Sequence, residues 1–210
     1  MYNIAVILAG GIGARVGGML PKQLLPLADG RSVLEHAVSA FEQADCIDEV
    51  CIVMHPDYIM HAEQMLLANA WQKVRHIIPG GKERWESSVN AIRAFTPYTL
   101  HLTPITNLLL HDAARPFISQ EIISNVCQAL EEHEAVVVAI PSTDTVYEMK
   151  DGKVARIPNR ATIMRAQTPQ AFRLPLIAKA YAKALPHLFN TQLGGKEGGL
   201  SSPLSGGVGG

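Results

Sequence analysis

Five short runs dominated by Val, Ile and Leu, at residues 4–8, 49–54, 74–78, 108–111 and 135–140, take turns with longer stretches of helical spacing at 32–44, 56–69, 84–95 and 119–132. Apolar runs this short, without polar alternation, suit strands buried on both faces. Neighbouring parallel strands need crossovers of about a dozen residues or more, and the helical stretches supply them. The chain is thereby restricted to an α/β fold, a doubly wound, mostly parallel sheet with helices on both faces. In the fourth helical stretch Ile122, Ile123, Val126 and Leu130 make one apolar face. Ser119 supplies its N-cap, and Gln120 and Glu121 begin a first turn whose negative charge complements the helix dipole.

The alternation stops at Pro141. Residues 143–149 and 153–157 flank Asp151-Gly152, which reads as a hairpin around a tight turn, projecting from the domain. A helix is expected at 174–185. Residues 191–210 hold eight glycines and several serines with no apolar periodicity, a linker composition expected to be disordered. The domain is therefore placed at 1–190, with an arm at about 141–165 and a tail at 191–210. Eighteen basic residues against nineteen acidic ones give no general attraction to nucleic acid or to a membrane surface. No apolar run is long enough to span a bilayer. The N-terminus enters a strand without a leader pattern. Cys46, Cys51 and Cys127 lack metal-ligand spacing and are expected to be reduced and structural. Together these predict a cytoplasmic protein.

Ala9-Gly10-Gly11-Ile12-Gly13-Ala14-Arg15 follows the first strand, and Pro21-Lys22-Gln23 comes soon after. Glycines there let the backbone approach a ligand, and exposed N–H groups can cradle phosphate. A tight turn with solvent-facing cations is the plain alternative. A dinucleotide fingerprint needs a third glycine where Val16 stands, and a Walker A loop needs a Gly-Lys-Ser/Thr that is not here. The pattern Leu-Ala-Gly-Gly-x-Gly-x-Arg followed by Pro-Lys resembles the signature loop of sugar-phosphate nucleotidyltransferases that consume nucleoside triphosphates.

Three further segments narrow the resemblance. Gly80-Gly81-Lys82-Glu83-Arg84-x-x-Ser87 opens a helix, and on its own could be a capped turn. His111-Asp112-Ala113-Ala114-Arg115-Pro116 ends the fourth strand, where open α/β sheets bind ligands; its plain alternative is an Asp–Arg ion pair holding the loop. Asp144-Thr145 and Arg160 through Thr168-Pro169-Gln170 bracket the hairpin. In this order and spacing they resemble the 2-C-methyl-D-erythritol 4-phosphate cytidylyltransferases and their ribitol-5-phosphate relatives, over residues 1 to about 175.

That resemblance implies a nucleotide-diphospho-sugar transferase-like fold whose arm swaps across a homodimer. It implies that Arg15, Lys22 and Arg160 are catalytic, and that Ala9, Gly10, Gly11, Gly13, Gly81, Ser87 and Asp112 bind CTP. Ala113, Arg115, Thr145, Arg160 and Thr168 would receive the acceptor, a polyol phosphate. Mg²⁺ would arrive with CTP, with Asp112 near it. The implied acceptor is methylerythritol phosphate. Leu8-Ala9-Gly10-Gly11 and Ile157-Pro158-x-Arg160 also look like the ribitol branch, so ribitol 5-phosphate stays open. After Phe189 the family's Thr-Asp-Asp-type stretch, strand, basic segment and last helix have no counterpart in this sequence. A chain that binds CTP but turns over poorly is therefore a third expectation. His55, His61, His76, His101, His133 and His187 lack ligand spacing and are expected at the surface or its boundary, and Trp71 and Trp85 are expected to pack.

Overall fold

The apolar runs do become strands, and the crossovers between them are helices. The structure, a computed structural model, describes residues 1–11, 20–96 and 105–189. In chain order its elements are β1 (Tyr2–Ala9), α1 (Val33–Glu42), β2 (Glu49–Met54), α2 (Ile59–Asn69), β3 (Val74–Pro79), α3 (Arg84–Phe95), β4 (Thr106–Asp112), α4 (Gln120–Glu132), β5 (Ala135–Pro141), β6 (Glu148–Lys150), β7 (Lys153–Arg156), β8 (Met164–Arg173), α5 (Leu174–Ala184) and α6 (Pro186–Phe189). The main sheet has six strands in the order β3-β2-β1-β4-β8-β5. β1 pairs in parallel with β2 and β4, and β2 with β3.

Because side chains alternate across a strand, each central strand feeds two cores. Ala5, Ile7, Val50, Ile52 and Leu109 face Leu34, Val38 and Phe41 of α1, Ala62 and Leu66 of α2, and Ile123, Val126 and Leu130 of α4. Ile4, Val6, Cys51, Val53, Leu108 and Leu110 face Ala91, Ile92 and Phe95 of α3 and Leu174 and Ile177 of α5. Complete burial of one such Leu, Ile or Phe contributes about 1.5–3 kcal/mol before entropy is charged. The helix starts read from sequence are present. Ser119 Oγ accepts the Ile122 N–H, and Ser32 and Glu35 form a reciprocal capping box at α1.

β8 was not foreseen. It runs antiparallel between β4 and β5, although it contains Pro169, a residue that usually argues against an interior strand. Here the proline falls outside the registered pairs. Pairing with β4 spans Gln170 to Arg173, and register with β5 shifts between Val137 and Ala139. The missing N–H thus interrupts no ladder.

The hairpin is present as β6 and β7, a separate two-stranded sheet in which every residue is exposed. Asp151 and Gly152 both have positive φ, as a two-residue turn that matches strand twist requires. The arm leaves and rejoins the sheet at one place, closed by the Pro141–Met164 pair and the Ser142 N–H to Ile163 carbonyl bond. Trp71 packs in the core as expected, whereas Trp85 is 42% exposed on the first turn of α3. The cysteines are free, with Cys51 and Cys127 buried. Among the described residues no helix is long and apolar enough to cross a membrane.

Candidate active site

β1 and β4 are adjacent in the sheet, yet their following helices lead to strands on opposite sides. Such a switch point leaves a crevice beyond the carboxyl ends of the two strands. The described parts of three of the four sequence motifs meet there, joined by the Thr168-Pro169-Gln170 half of the fourth. Gly13, Arg15 and the tail at 191–210 lie outside the described residues.

Ala9 ends β1, and the chain then passes Gly80 at glycine-to-glycine distance. A Cβ on Gly10 would sit 2.6 Å from Ser87 Oγ, and one on Gly80 would sit 2.8 Å from the Gly10 Cα. Only glycine allows these two loops to touch. The turn before α3 is held from inside, where the Ser87 hydroxyl accepts the Gly81 N–H at 3.1 Å and Glu86 accepts the Glu83 N–H at 3.0 Å. Ser87 is itself 2% exposed, so it braces the loop that carries Gly81. The outward groups are the Gly11 backbone and Lys22, which is exposed on a single tight turn, Lys22–Leu24. Next to it Gln23 is buried and donates to the carbonyls of Ala9 and Gly11.

At the end of β4 the Asp112 carboxylate lies between two guanidinium groups. Arg84 Nε is 2.8 Å from Oδ1 and Arg115 Nε is 3.4 Å from Oδ2. Arg84 also reaches Gln170 at 3.4 Å, and Arg115 donates to Gln167. The ion-pair alternative for this motif is therefore met, and it is joined by Arg84, to which the sequence reading gave no role. Both arginines are about half exposed, so water screens these pairs and they add little to stability.

Beneath them lies a buried relay. The Arg115 carbonyl can only accept, so His111 Nε2 carries a proton and donates to it at 3.0 Å. Nδ1 then accepts from the Thr168 hydroxyl at 3.0 Å, and the Thr168 oxygen accepts the Asp112 N–H at 3.3 Å. Thr168, expected at the acceptor, is thus 8% exposed with its hydroxyl engaged. Ala113 is likewise turned inward, its N–H bonded to the Leu8 carbonyl at 3.1 Å. Thr145 and Arg160 are exposed on the arm, and among the described residues neither side chain bonds to the body.

Burial against Phe41 holds the His111 imidazole below its ordinary pKa. In the unfolded chain the ring takes up a proton below about pH 6.5. The folded ring resists it, so stability falls as pH drops through that value, by up to about 1.4 kcal/mol per unit. Comparing the unfolding free energies of wild type and His111→Gln between about pH 8 and 5 measures this contribution. Parallel curves would assign the acid sensitivity to other groups.

The family model described as 2-C-methyl-D-erythritol 4-phosphate cytidylyltransferase matches residues 3–192. An enzyme of that name from Thermobifida fusca is 44% identical over 185 residues, 86% of this chain and 72% of its own length. A bifunctional ribulose 5-phosphate reductase/CDP-ribitol pyrophosphorylase from Haemophilus influenzae is 40% identical over 85% of this chain and 37% of its own. Among solved structures, 4-diphosphocytidyl-2C-methyl-D-erythritol synthase from Anaerococcus prevotii superposes with a TM-score of 0.73 at 30% identity, covering 88% of this chain and 75% of that one.

Proposed function

The chain belongs to the 2-C-methyl-D-erythritol 4-phosphate cytidylyltransferase family, and from that premise we propose that it joins CMP from CTP to the phosphate of 2-C-methyl-D-erythritol, releasing pyrophosphate. The observation that carries the reading is the meeting, at one sheet switch point, of Gly10 with Gly80 on the turn before α3, whose Arg84 reaches Asp112. Lys22 is exposed next to a Gln23 bonded to the end of β1. An acceptor phosphate oxygen bonds to the α-phosphorus as the bond to the pyrophosphate oxygen breaks. The attacking phosphate is already ionised, so no base is needed. Charge neutralisation and in-line placement are what the protein must supply.

In this reading Lys22 and Arg15 neutralise the triphosphate, and backbone N–H groups of Gly10, Gly11 and Gly13 line it. Gly81, on the turn braced by Ser87, meets the base. Ala9, Ala113 and Thr168 shape the wall, since Ala113 and Thr168 spend their hydrogen bonds inside. Arg115 lies near the acceptor phosphate.

Asp112 would be the residue to hold a Mg²⁺ arriving with CTP, and the ion would supply positive charge against the triphosphate. The donor set fits that mode. Among the described residues no three His, Cys, Asp or Glu groups gather to form a metal cage, whereas Asp112 stands alone at the crevice. It would contribute a single carboxylate once Arg84 or Arg115 yields, the phosphates supplying the rest.

The arm carries Tyr147, Met149, Val154 and Ile157, each more than half exposed, on a two-stranded unit too small to be stable alone. A second copy of the chain covering it, and receiving Thr145 and Arg160, accounts for those side chains. Free cysteines fit a reducing cytoplasm.

Pyrophosphate release with CTP, Mg²⁺ and either 2-C-methyl-D-erythritol 4-phosphate or ribitol 5-phosphate tests the reading. Release with the first alone is expected. Release with ribitol 5-phosphate alone would establish the second reading, which the 40% identity to the CDP-ribitol pyrophosphorylase favours. CTP binding without release from either would identify a nucleotide-binding protein in place of an enzyme.

A further inference from the structure

We propose that His111 is the positioning residue that aims Arg115 at the acceptor phosphate; this rests on the cytidylyl-transfer reading above, in which Arg115 lies near that phosphate. Arg115 is followed by Pro116. Proline has no N–H, so the peptide joining the two residues offers one strong polar group, the Arg115 carbonyl. His111 Nε2 donates to it at 3.0 Å. On the other side of the residue, the Arg115 N–H donates to the Asp112 carbonyl at 3.0 Å. Both backbone groups of Arg115 are therefore held, and with them the direction in which its side chain leaves the turn.

The imidazole that holds the carbonyl is itself fixed. His111 is 1% exposed, and its ring lies against that of Phe41 at 5.0 Å. Nδ1 accepts the Thr168 hydroxyl at 3.0 Å, which keeps the ring proton on Nε2, where the Arg115 carbonyl needs it. The Arg115 guanidinium is anchored far less well. Its contacts with Gln167 and Asp112 are open to water, and such contacts hold a long side chain loosely. A phosphate contact becomes productive when its donors are kept within about 0.5 Å of their place by buried supports. For Arg115 that support comes through the backbone, from His111. The nucleotide groups are held elsewhere, Lys22 on its own tight turn and Gly81 on the turn braced by Ser87. Both ring bonds of His111 go to Arg115 and Thr168, so releasing them is felt at the acceptor.

Imidazole makes its two bonds at once, and two amides divide them. A Gln amide reaches the place of Nε2 and can donate to the Arg115 carbonyl. The shorter Asn amide reaches the place of Nδ1, beside Thr168. His111→Phe keeps a ring and makes neither bond. KM for CTP and for whichever of the two polyol phosphates supports wild-type turnover is read from pyrophosphate release, CTP affinity from calorimetry, and folding from circular dichroism. His111→Phe and His111→Asn are expected to raise the acceptor KM by about tenfold or more, while CTP affinity stays within about twofold. His111→Gln should bring the acceptor KM back to within about threefold of wild type. A merely structural His111 would lower Tm without parting Gln from Asn, or acceptor from CTP. Unchanged acceptor KM in folded His111→Phe overturns the proposal. So does a loss shared equally by CTP and acceptor, or a His111→Gln protein no better than His111→Asn. Should His111→Phe not fold, the comparison of Gln with Asn decides by itself. Wild type that releases pyrophosphate with neither acceptor refutes the cytidylyl-transfer reading and this role with it, whereas active wild type whose acceptor KM survives His111→Phe refutes only the role of His111.

Discussion

Lys22→Ala is expected to lower kcat for cytidylyl transfer by about 10²–10³-fold, the usual cost of removing one group that stabilises developing transition-state charge. The side chain is exposed and has no ion pair among the described residues, so its loss strands no buried partner. Stability should change by no more than about 0.5 kcal/mol. Two anions approach one another in this reaction, and the ammonium gains most where the α-phosphorus carries both entering and leaving oxygens. The loss should therefore fall mainly on kcat and less on CTP affinity. Single-turnover kinetics beside a thermal melt separate these effects. Turnover equal to wild type in a folded Lys22→Ala protein would remove Lys22 from the mechanism.

Arg160→Ala should cost about as much, but at the acceptor. Arg160 lies on the arm beyond the Pro141–Met164 closure, with no side-chain partner in the described body of its own chain. A planar guanidinium suits bidentate contact with a phosphate. If a second copy receives it, each site combines Lys22 of one chain with Arg160 of the other. Mixing inactive Lys22→Ala and Arg160→Ala proteins then creates heterodimers in which one of two sites is intact. Random exchange makes half the dimers mixed, so about a quarter of wild-type activity should return. Recovery no greater than the sum of the two separate proteins would place Arg160 in its own chain's site, or outside any site.

The strands that the sequence reveals are β1 to β5, since continuous Val, Ile and Leu leave little alternative, although only β1, β2 and β4 are buried along nearly their whole length, while β3 and the edge strand β5 are partly exposed. β8 was hidden because Met164, Arg165, Ala166, Gln167, Thr168 and Pro169 carry neither a continuous apolar run nor clean alternation. Its strand state comes from two neighbours distant in sequence. A similar limit applies at the site. Glycine loops and the His-Asp-Ala-Ala-Arg-Pro string are contiguous and can be read as words. Arg84 acts on Asp112, 28 residues away, and Gln23 acts on carbonyls 12 and 14 residues back. Their types were visible and their partners were not. Ala113 and Thr168 were read as ligand contacts because a motif names residues without saying which way they face. The faint signal was His111, an apolar strand's only imidazole, which needs inward partners once buried.

Since β5 and β8 lie side by side and antiparallel, the arm is an insertion with adjoining ends. Its length and composition can drift without shifting the register of any strand that lines the nucleotide crevice. If Thr145 and Arg160 meet the acceptor, that part of acceptor choice is written in a stretch separable from the nucleotide crevice, while Arg115 stays in the body. A lineage could then tune its polyol phosphate by rewriting a short excursion at the sheet edge, leaving the nucleotide half as inherited.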